Sequence, residues 1–275
     1  MRTDDREELR RLMGMYEWPK SVAVTGALGS GKTEWVLNLS AGFRALGDDV
    51  TVADADIINP YFCIRQVTEA LEAEGFQVLT APGQAKWSDM PVVTSEVDRV
   101  LSAPGKRVLL DIGGDAEGAL ALKQYQLRLR QAGFLLILVV NSFRPQTSTL
   151  DSIRVMKSRM EAIGSLEVGA LVSNSHVMTE TTPEDVYSGW QLVEEASQAF
   201  GLPLLYCSTR PSIHEETVKL FQKKGVKTPL WQLSRHMLLP WEPGAIWGTG
   251  LPAKNHGHRM LQTYEYNRSK QGSEE

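Results

Sequence analysis

The stretch Val24–Trp35, VTGALGSGKTEW, constrains this chain more than any other dozen residues. An apolar run ends at Gly26, glycines recur at 29 and 31, and a helix-forming run begins at Lys32. The spelling Gly26-Ala-Leu-Gly-Ser-Gly31-Lys32-Thr33 fits G-x-x-x-x-G-K-[ST] in its required context, strand before and helix after. Gly26, Gly29 and Gly31 let the backbone turn tightly with its N–H groups, Ser30 among them, aimed inward at phosphate oxygens. The following helix adds the positive end of its dipole. Lys32 is placed to reach the β- and γ-phosphates, and the Thr33 hydroxyl to ligate Mg²⁺. Packing is the plainer reading of a glycine-rich turn, but it does not call for Lys-Thr in register.

Around this loop, short β-rich runs alternate with amphipathic segments. The runs are 21–26, 49–55, 107–113, 134–141, 168–174 and 202–208, and helical patterns fall at about 32–46, 65–74, 93–102, 117–131, 147–162, 184–200 and 213–224. Such alternation predicts an α/β fold, a mostly parallel sheet with helices on both faces. The run FLLILVV, Phe134 to Val140, suits a strand buried on both sides and is far too short to span a bilayer. Three parts are expected: an extra N-terminal helix over 1–18, a phosphate-loop nucleotide-binding domain over 19–228, and an irregular extension over 229–275 whose last residues are disordered. The Pro-, Gly- and Trp-rich part of that extension is too apolar for a solvated tail and is expected to pack on the domain or a partner.

Composition excludes several functions. With 42% apolar and 23% charged residues the chain reads as a globular protein with a real core. A net charge of −4 gives no reason to expect nucleic acid or an anionic membrane. Two distant cysteines, Cys63 and Cys207, make no zinc or iron–sulfur spacing. The opening MRTDDREELRRL is charged rather than a signal region, so a cytoplasmic location is expected.

Other carboxylates complete the candidate site. In RVLLDIGGD, Asp111 ends a strand where it would stand beside the metal, and Asp111-Ile-Gly-Gly114 has the form D-x-x-G, in which a glycine N–H senses the γ-phosphate. Asp115 is either a second supporting acid or the cap of the next helix. In VADADIINPYF, Asp54 and Asp56 close the second strand and would hold metal-bound water or orient the attacking water. Guanine-reading folds carry N/T-K-x-D after a late strand; VVNSFRP (139–145) and LVSNSHV (171–177) both lack the aspartate. Adenine is therefore favoured, with Asn174 on its edge and Pro211 walling the ring. Asn141 has a structural alternative, tying the loop after its strand, and His176 reads as a loop residue. Arg65 and Arg144 are candidates for an extra cation, each with the plainer reading of a surface salt-bridge residue.

In order, these motifs resemble the MinD/ParA/CobQ (SIMIBI) class of P-loop ATPases. The words DADIINPYF, DIGGDAEGALAL, VVNSFRP and SNSH are most similar to a bacterial and archaeal ATP-binding branch described as CobQ-like or MinD-like. The resemblance covers about residues 20–225. It implies a three-layer P-loop NTPase fold with ATP and Mg²⁺ at the C-terminal ends of the strands. By that resemblance Lys32 and Thr33 serve phosphate and metal, Asp56 positions water, Asp54 and Asp111 support the metal, and Asn174 holds adenine. Two departures stand out. Ala27 occupies the position where many relatives carry a lysine that reaches across a dimer, and the C-terminus lacks the amphipathic face of a membrane-targeting helix.

The expected activity is ATP hydrolysis coupled to a switch that serves a partner protein or forms an ATP-dependent homodimer. The alternatives are a small-molecule kinase or ATP-dependent ligase resembling dethiobiotin synthetase, with Lys86, Trp87 and Asp89 as acceptor contacts, and a metallochaperone-type NTPase.

Overall fold

Among the described residues, eight strands line up side by side in the order β3-β2-β4-β1-β5-β6-β7-β8, and every pairing between neighbours is parallel. The structure is a computed structural model, and it describes residues 3–54, 68–80 and 90–237. The strands are β1 (Ser21–Gly26), β2 (Asp49–Asp54), β3 (Gln77–Leu79), β4 (Lys106–Asp111), β5 (Phe134–Val140), β6 (Ala170–Ser173), β7 (Leu204–Thr209) and β8 (Leu230–Gln232). The helices are α1 (Thr3–Met13), α2 (Lys32–Leu46), α3 (Thr68–Ala73), α4 (Met90–Ser102), α5 (Ala116–Ala132), α6 (Leu150–Gly164), α7 (Pro183–Phe200) and α8 (His214–Lys224). Parallel neighbours need crossovers, and helices supply them.

Strand periodicity divides the core in two. Ala23 of β1 and Leu136, Leu138 and Val140 of β5 face α4, α5, α6 and α7. The alternating Val22, Val24, Ile137 and Val139 face α1 and α2 on the other side. This is the three-layer P-loop NTPase fold that the sequence implies. β1 lies in the interior of the sheet with all six residues buried, so the loop that follows it emerges at the centre of one sheet edge. Each fully buried aliphatic side chain in such a strand contributes roughly 1.5–3 kcal/mol from area removed from water.

The second face is largely aromatic. Tyr206 stacks on Trp35 at 5.8 Å and meets Trp231 edge-on at 4.9 Å, and Tyr16 meets it at 5.3 Å. α1 is fixed there by two tyrosine hydroxyls. Tyr206 Oη donates to the Leu12 carbonyl at 2.8 Å, and Tyr16 Oη donates to the Leu205 carbonyl at 2.7 Å.

Two edge strands depart from the sequence reading. β3 was not expected at all, and β8 lies at the start of the segment expected to be irregular. β8 joins the sheet because Trp231, 1% exposed, fills the aromatic cluster beside Trp35. Of the described residues, no helix is long and apolar enough to cross a membrane.

Candidate nucleotide site

The loop between β1 and α2 is wound as a phosphate loop. Gly29 and Gly31 have φ of +71° and +86°, where a side chain is strained. The Ser30 N–H, expected to face the phosphates, donates instead to the Ala27 carbonyl at 2.9 Å and closes the turn. Gly31 caps α2 without any side-chain acceptor, which leaves the first N–H groups of a fifteen-residue helix facing the loop. Lys32 and Thr33 follow, both buried.

β4 is the neighbour of β1 and delivers Asp111, and β2 beyond it delivers Asp54. Asp111 pairs in register with Val24 on one side and Asp54 on the other, so two carboxylates stand side by side at adjacent strand ends. The Thr33 hydroxyl donates to Asp111 Oδ2 at 2.6 Å, inside the protein. Threonine hydroxyl and carboxylates are hard oxygen donors, the set that suits Mg²⁺, which takes few protein ligands and completes its shell with phosphate and water. Among the described residues no cluster of three or more His, Cys, Asp or Glu forms a metal cage. The donor set therefore fits a phosphate-bound magnesium better than a structural metal.

Gly114 is held against the loop. A β-carbon there would lie 2.0 Å from the Gly26 carbonyl oxygen, so only glycine allows the two backbones to meet. Thr25 Oγ1 donates to the Gly113 carbonyl at 3.2 Å and ties the same junction. Asp115 resolves to the capping role: it is the N-cap of α5, accepting from the Gly118 N–H at 2.7 Å.

Two further loops grip the phosphate loop from the other side. Asn174 Nδ2 donates to the Ser30 carbonyl at 2.6 Å, while its Oδ1 accepts from the Ser208 hydroxyl. A β-carbon on Gly31 would fall 2.2 Å from Asn174 Nδ2. Arg144 Nε donates to the Gly29 carbonyl at 3.0 Å. Asn141 is fully buried and acts as a peptide mimic: Oδ1 accepts from the Phe143 and His176 N–H groups at 3.0 and 3.2 Å, and Nδ2 donates to the His176 carbonyl at 3.1 Å. It is structural, tying the β5–α6 loop to the β6–α7 loop. His176 has Nε2 within 3.6 Å of the β-carbon position of Gly31. Burial, helped by the Arg144 guanidinium, pushes its pKa down to about 4, so the ring is neutral at pH 7.

The structure thus brings together Gly26, Gly29, Ser30, Gly31, Lys32, Thr33, Asp54, Asp111, Gly114 and Asn174. Pro211 stands exposed at the end of β7, three strands from β1. Asp56 and Arg65 lie outside the described residues, as do the proposed acceptor contacts Lys86, Trp87 and Asp89.

No protein-family model and no curated protein matches the sequence. Solved structures do show similarity. The cell division protein FtsY of Thermotoga maritima aligns at a TM-score of 0.49 with 17% identity, over 72% of this chain and 67% of that one. The signal recognition particle receptor FtsY of Elizabethkingia anophelis, in complex with GDP, aligns at 0.49 with 20% identity, over 72% and 63%. A chimeric protein, CapA2B2, aligns at 0.40 with 16% identity, over 60% and 81%. The chain spans roughly two thirds of the length of these FtsY proteins. At these values the likeness carries no functional meaning, and the site must be read from its own residues.

One feature of the site has no counterpart in the motifs. After β8 the chain continues as a strap over α2. The Leu233 N–H donates to the Thr209 carbonyl at 2.9 Å. Asn38 accepts from the Ser234 N–H at 2.9 Å and donates to the Ser234 carbonyl at 2.8 Å. One turn earlier, the Glu34 carboxylate accepts from the His236 N–H at 2.9 and 3.1 Å and from the Met237 N–H at 2.6 Å. Burial raises Glu34 to about 7 despite those two donors. The strap is thus fastened to the first two turns of the helix that begins at the phosphate loop. The sequence reading expected this extension to pack on the domain or a partner, but not which residues of α2 would hold it.

Proposed function

We propose that the chain is a Mg²⁺-dependent ATP-binding protein that hydrolyses ATP slowly and works as a nucleotide-driven switch for a partner protein. The observation that carries this reading is the buried Thr33 hydroxyl on Asp111, next to Lys32 and at the mouth of the glycine loop. Backbone N–H groups and Lys32 would hold the phosphates, Thr33 and Asp111 the magnesium, and Asp54 would support it from the adjacent strand. Magnesium bound there would neutralise charge on the phosphates. Gly114, pressed on Gly26, would transmit the presence or loss of the γ-phosphate to the β4–α5 loop. Asp56 is assigned the water by the resemblance, and Asn174 and Pro211 the adenine by the reading of the late loops.

Adenine is preferred because neither late loop has the aspartate that would accept from guanine. The motif order places the chain in the SIMIBI class under this proposal, with a cytoplasmic role and no nucleic-acid partner. Exposed Leu28, Phe143 and Met178, on the loops after β1, β5 and β6, favour a protein partner or a second copy over a small-molecule acceptor.

Calorimetric titration of the full chain tests this directly, with ATP and GTP, each with Mg²⁺ or a chelator. ATP should bind more tightly than GTP, need Mg²⁺ for full affinity, and bind Lys32→Ala only weakly. Tighter GTP than ATP would reverse the base assignment, and no binding of either would end the reading. Light scattering with ADP and then ATP–Mg²⁺ should show a change of mass, alone or with a co-purified partner, if the protein is a switch.

A further inference from the structure

Arg144 is placed unlike an ordinary surface arginine. Its guanidinium lies against the phosphate loop: a β-carbon on Gly29 would be 3.0 Å from Cζ and 3.1 Å from both Nε and Nη2. Nε donates to the Gly29 carbonyl at 3.0 Å, and that is the side chain's one hydrogen bond among the described residues. A guanidinium has five N–H donors, so most of its capacity is left over. None of the described ion pairs includes it. Within Gly26–Thr33 itself the single cation is Lys32.

The base of this side chain is rigid. The Arg144 N–H donates to the Asn141 carbonyl at 3.0 Å, and the Arg144 carbonyl accepts from the Thr147 N–H at 2.8 Å. Pro145 fixes the next residue, and Asn141 is buried and clamped to His176. His176 alongside is neutral, so it adds no competing charge. A loop held this firmly, carrying a permanent cation onto the backbone of a phosphate-binding turn, gives charge a purpose there that salt-bridge stability does not explain.

We propose that Arg144 is the second cation of the phosphate site, acting within the same chain: it braces the loop at Gly29 and directs its charge to the terminal phosphate of a bound nucleoside triphosphate. This rests on the nucleotide-binding reading above. Arginine suits the task because its charge is fixed and its planar fork matches phosphate oxygens. Its positive charge matters most when the terminal phosphate is present and as its bond to the bridging oxygen breaks.

Two substitutions separate bracing from charge. Arg144→Gln keeps a donor for the Gly29 carbonyl and removes the charge; Arg144→Lys keeps the charge on a different stem. Calorimetry of the full chain with ATP–Mg²⁺ and ADP–Mg²⁺ is paired with single-turnover hydrolysis of ATP, and thermal melting confirms that both variants fold. The expected result for Arg144→Gln is ATP affinity reduced about tenfold more than ADP affinity, and hydrolysis slowed roughly a thousandfold, the lower end of what a transition-state arginine supplies. Arg144→Lys should recover part of both. Equal losses for ATP and ADP, or no change in either, overturn the proposal, since bracing alone does not distinguish the two nucleotides. If the wild-type chain binds nucleotide and Arg144→Gln matches it, only this inference fails. If the wild-type chain binds neither nucleotide, the reading on which it rests fails as well.

Discussion

At the scale of single residues, the site is held by atoms that leave little freedom. Gly114 meets the Gly26 carbonyl so closely that its hydrogen is a steric requirement, whereas Gly47, φ +101°, has no heavy atom within 4 Å of its β-carbon position and needs glycine only for its backbone. His176 provides a test of this packing by pH. Its folded pKa of about 4 lies below the ordinary value of 6.5. The unfolded chain therefore takes up a proton at that position first as pH falls. The stability that comes from keeping the ring neutral is complete above about pH 6.5 and is lost progressively toward pH 4, a total of roughly 3 kcal/mol. Urea unfolding from pH 7.5 to 4.5 should show a steeper loss for the wild-type protein than for His176→Gln. Parallel profiles would mean that the ring is solvated in the folded state.

At the scale of elements, legibility follows how each one is stabilised. β1 and β5 are buried on both faces, so their sequences are unbroken apolar runs that can be read without a structure. β3 and β8 are edge strands of three residues each, and three residues hold no period to detect. The phosphate loop was legible because its chemistry is packed into eight consecutive residues. The contacts that steady it were not, since Arg144 to Gly29 spans 115 positions and Asn174 to Ser30 spans 144. No local pattern can encode such a pairing. The strap is the clearest case, because Glu34 and Asn38 fasten a segment about 200 residues away. Its hold can be measured. Asn38→Ala removes both bonds to Ser234, at a cost of roughly 1–3 kcal/mol. The cost falls on local opening rather than on the whole fold. Amide exchange at His236 and Met237 should accelerate about tenfold or more, while Leu138 in β5 keeps its protection. Equal acceleration at all three would show that the strap unfolds only together with the sheet.

At the scale of the whole molecule, the two faces of the sheet are unequal. Among the described residues, one is covered by α4 to α7, the other by α2, α3, the strap and an N-terminal helix that precedes β1 in sequence yet seals β7. Leu12 and Met13 are 2% and 0% exposed, and removing residues 1–13 would uncover Tyr206 and its neighbours. Burial of those two side chains and the Tyr206 hydroxyl bond together support a loss on the order of 5 kcal/mol. A chain lacking residues 1–13 should unfold at a clearly lower urea concentration than the full chain and bind an apolar dye that the full chain does not. An unchanged midpoint would mean that α1 is an ornament on a self-sufficient domain.

The paired tyrosines also set a timetable. Tyr16 reaches Leu205 across 189 positions, and Tyr206 reaches Leu12 across 194. On a ribosome α1 is made long before the strand that receives it exists. At about 5–20 residues per second it waits roughly 10–40 seconds. Through that interval Leu12 and Met13 have no seat, and a newborn chain offers them to whatever binds apolar segments in passing. An element made early is thus locked late, and the closing of that seam has to wait for β7.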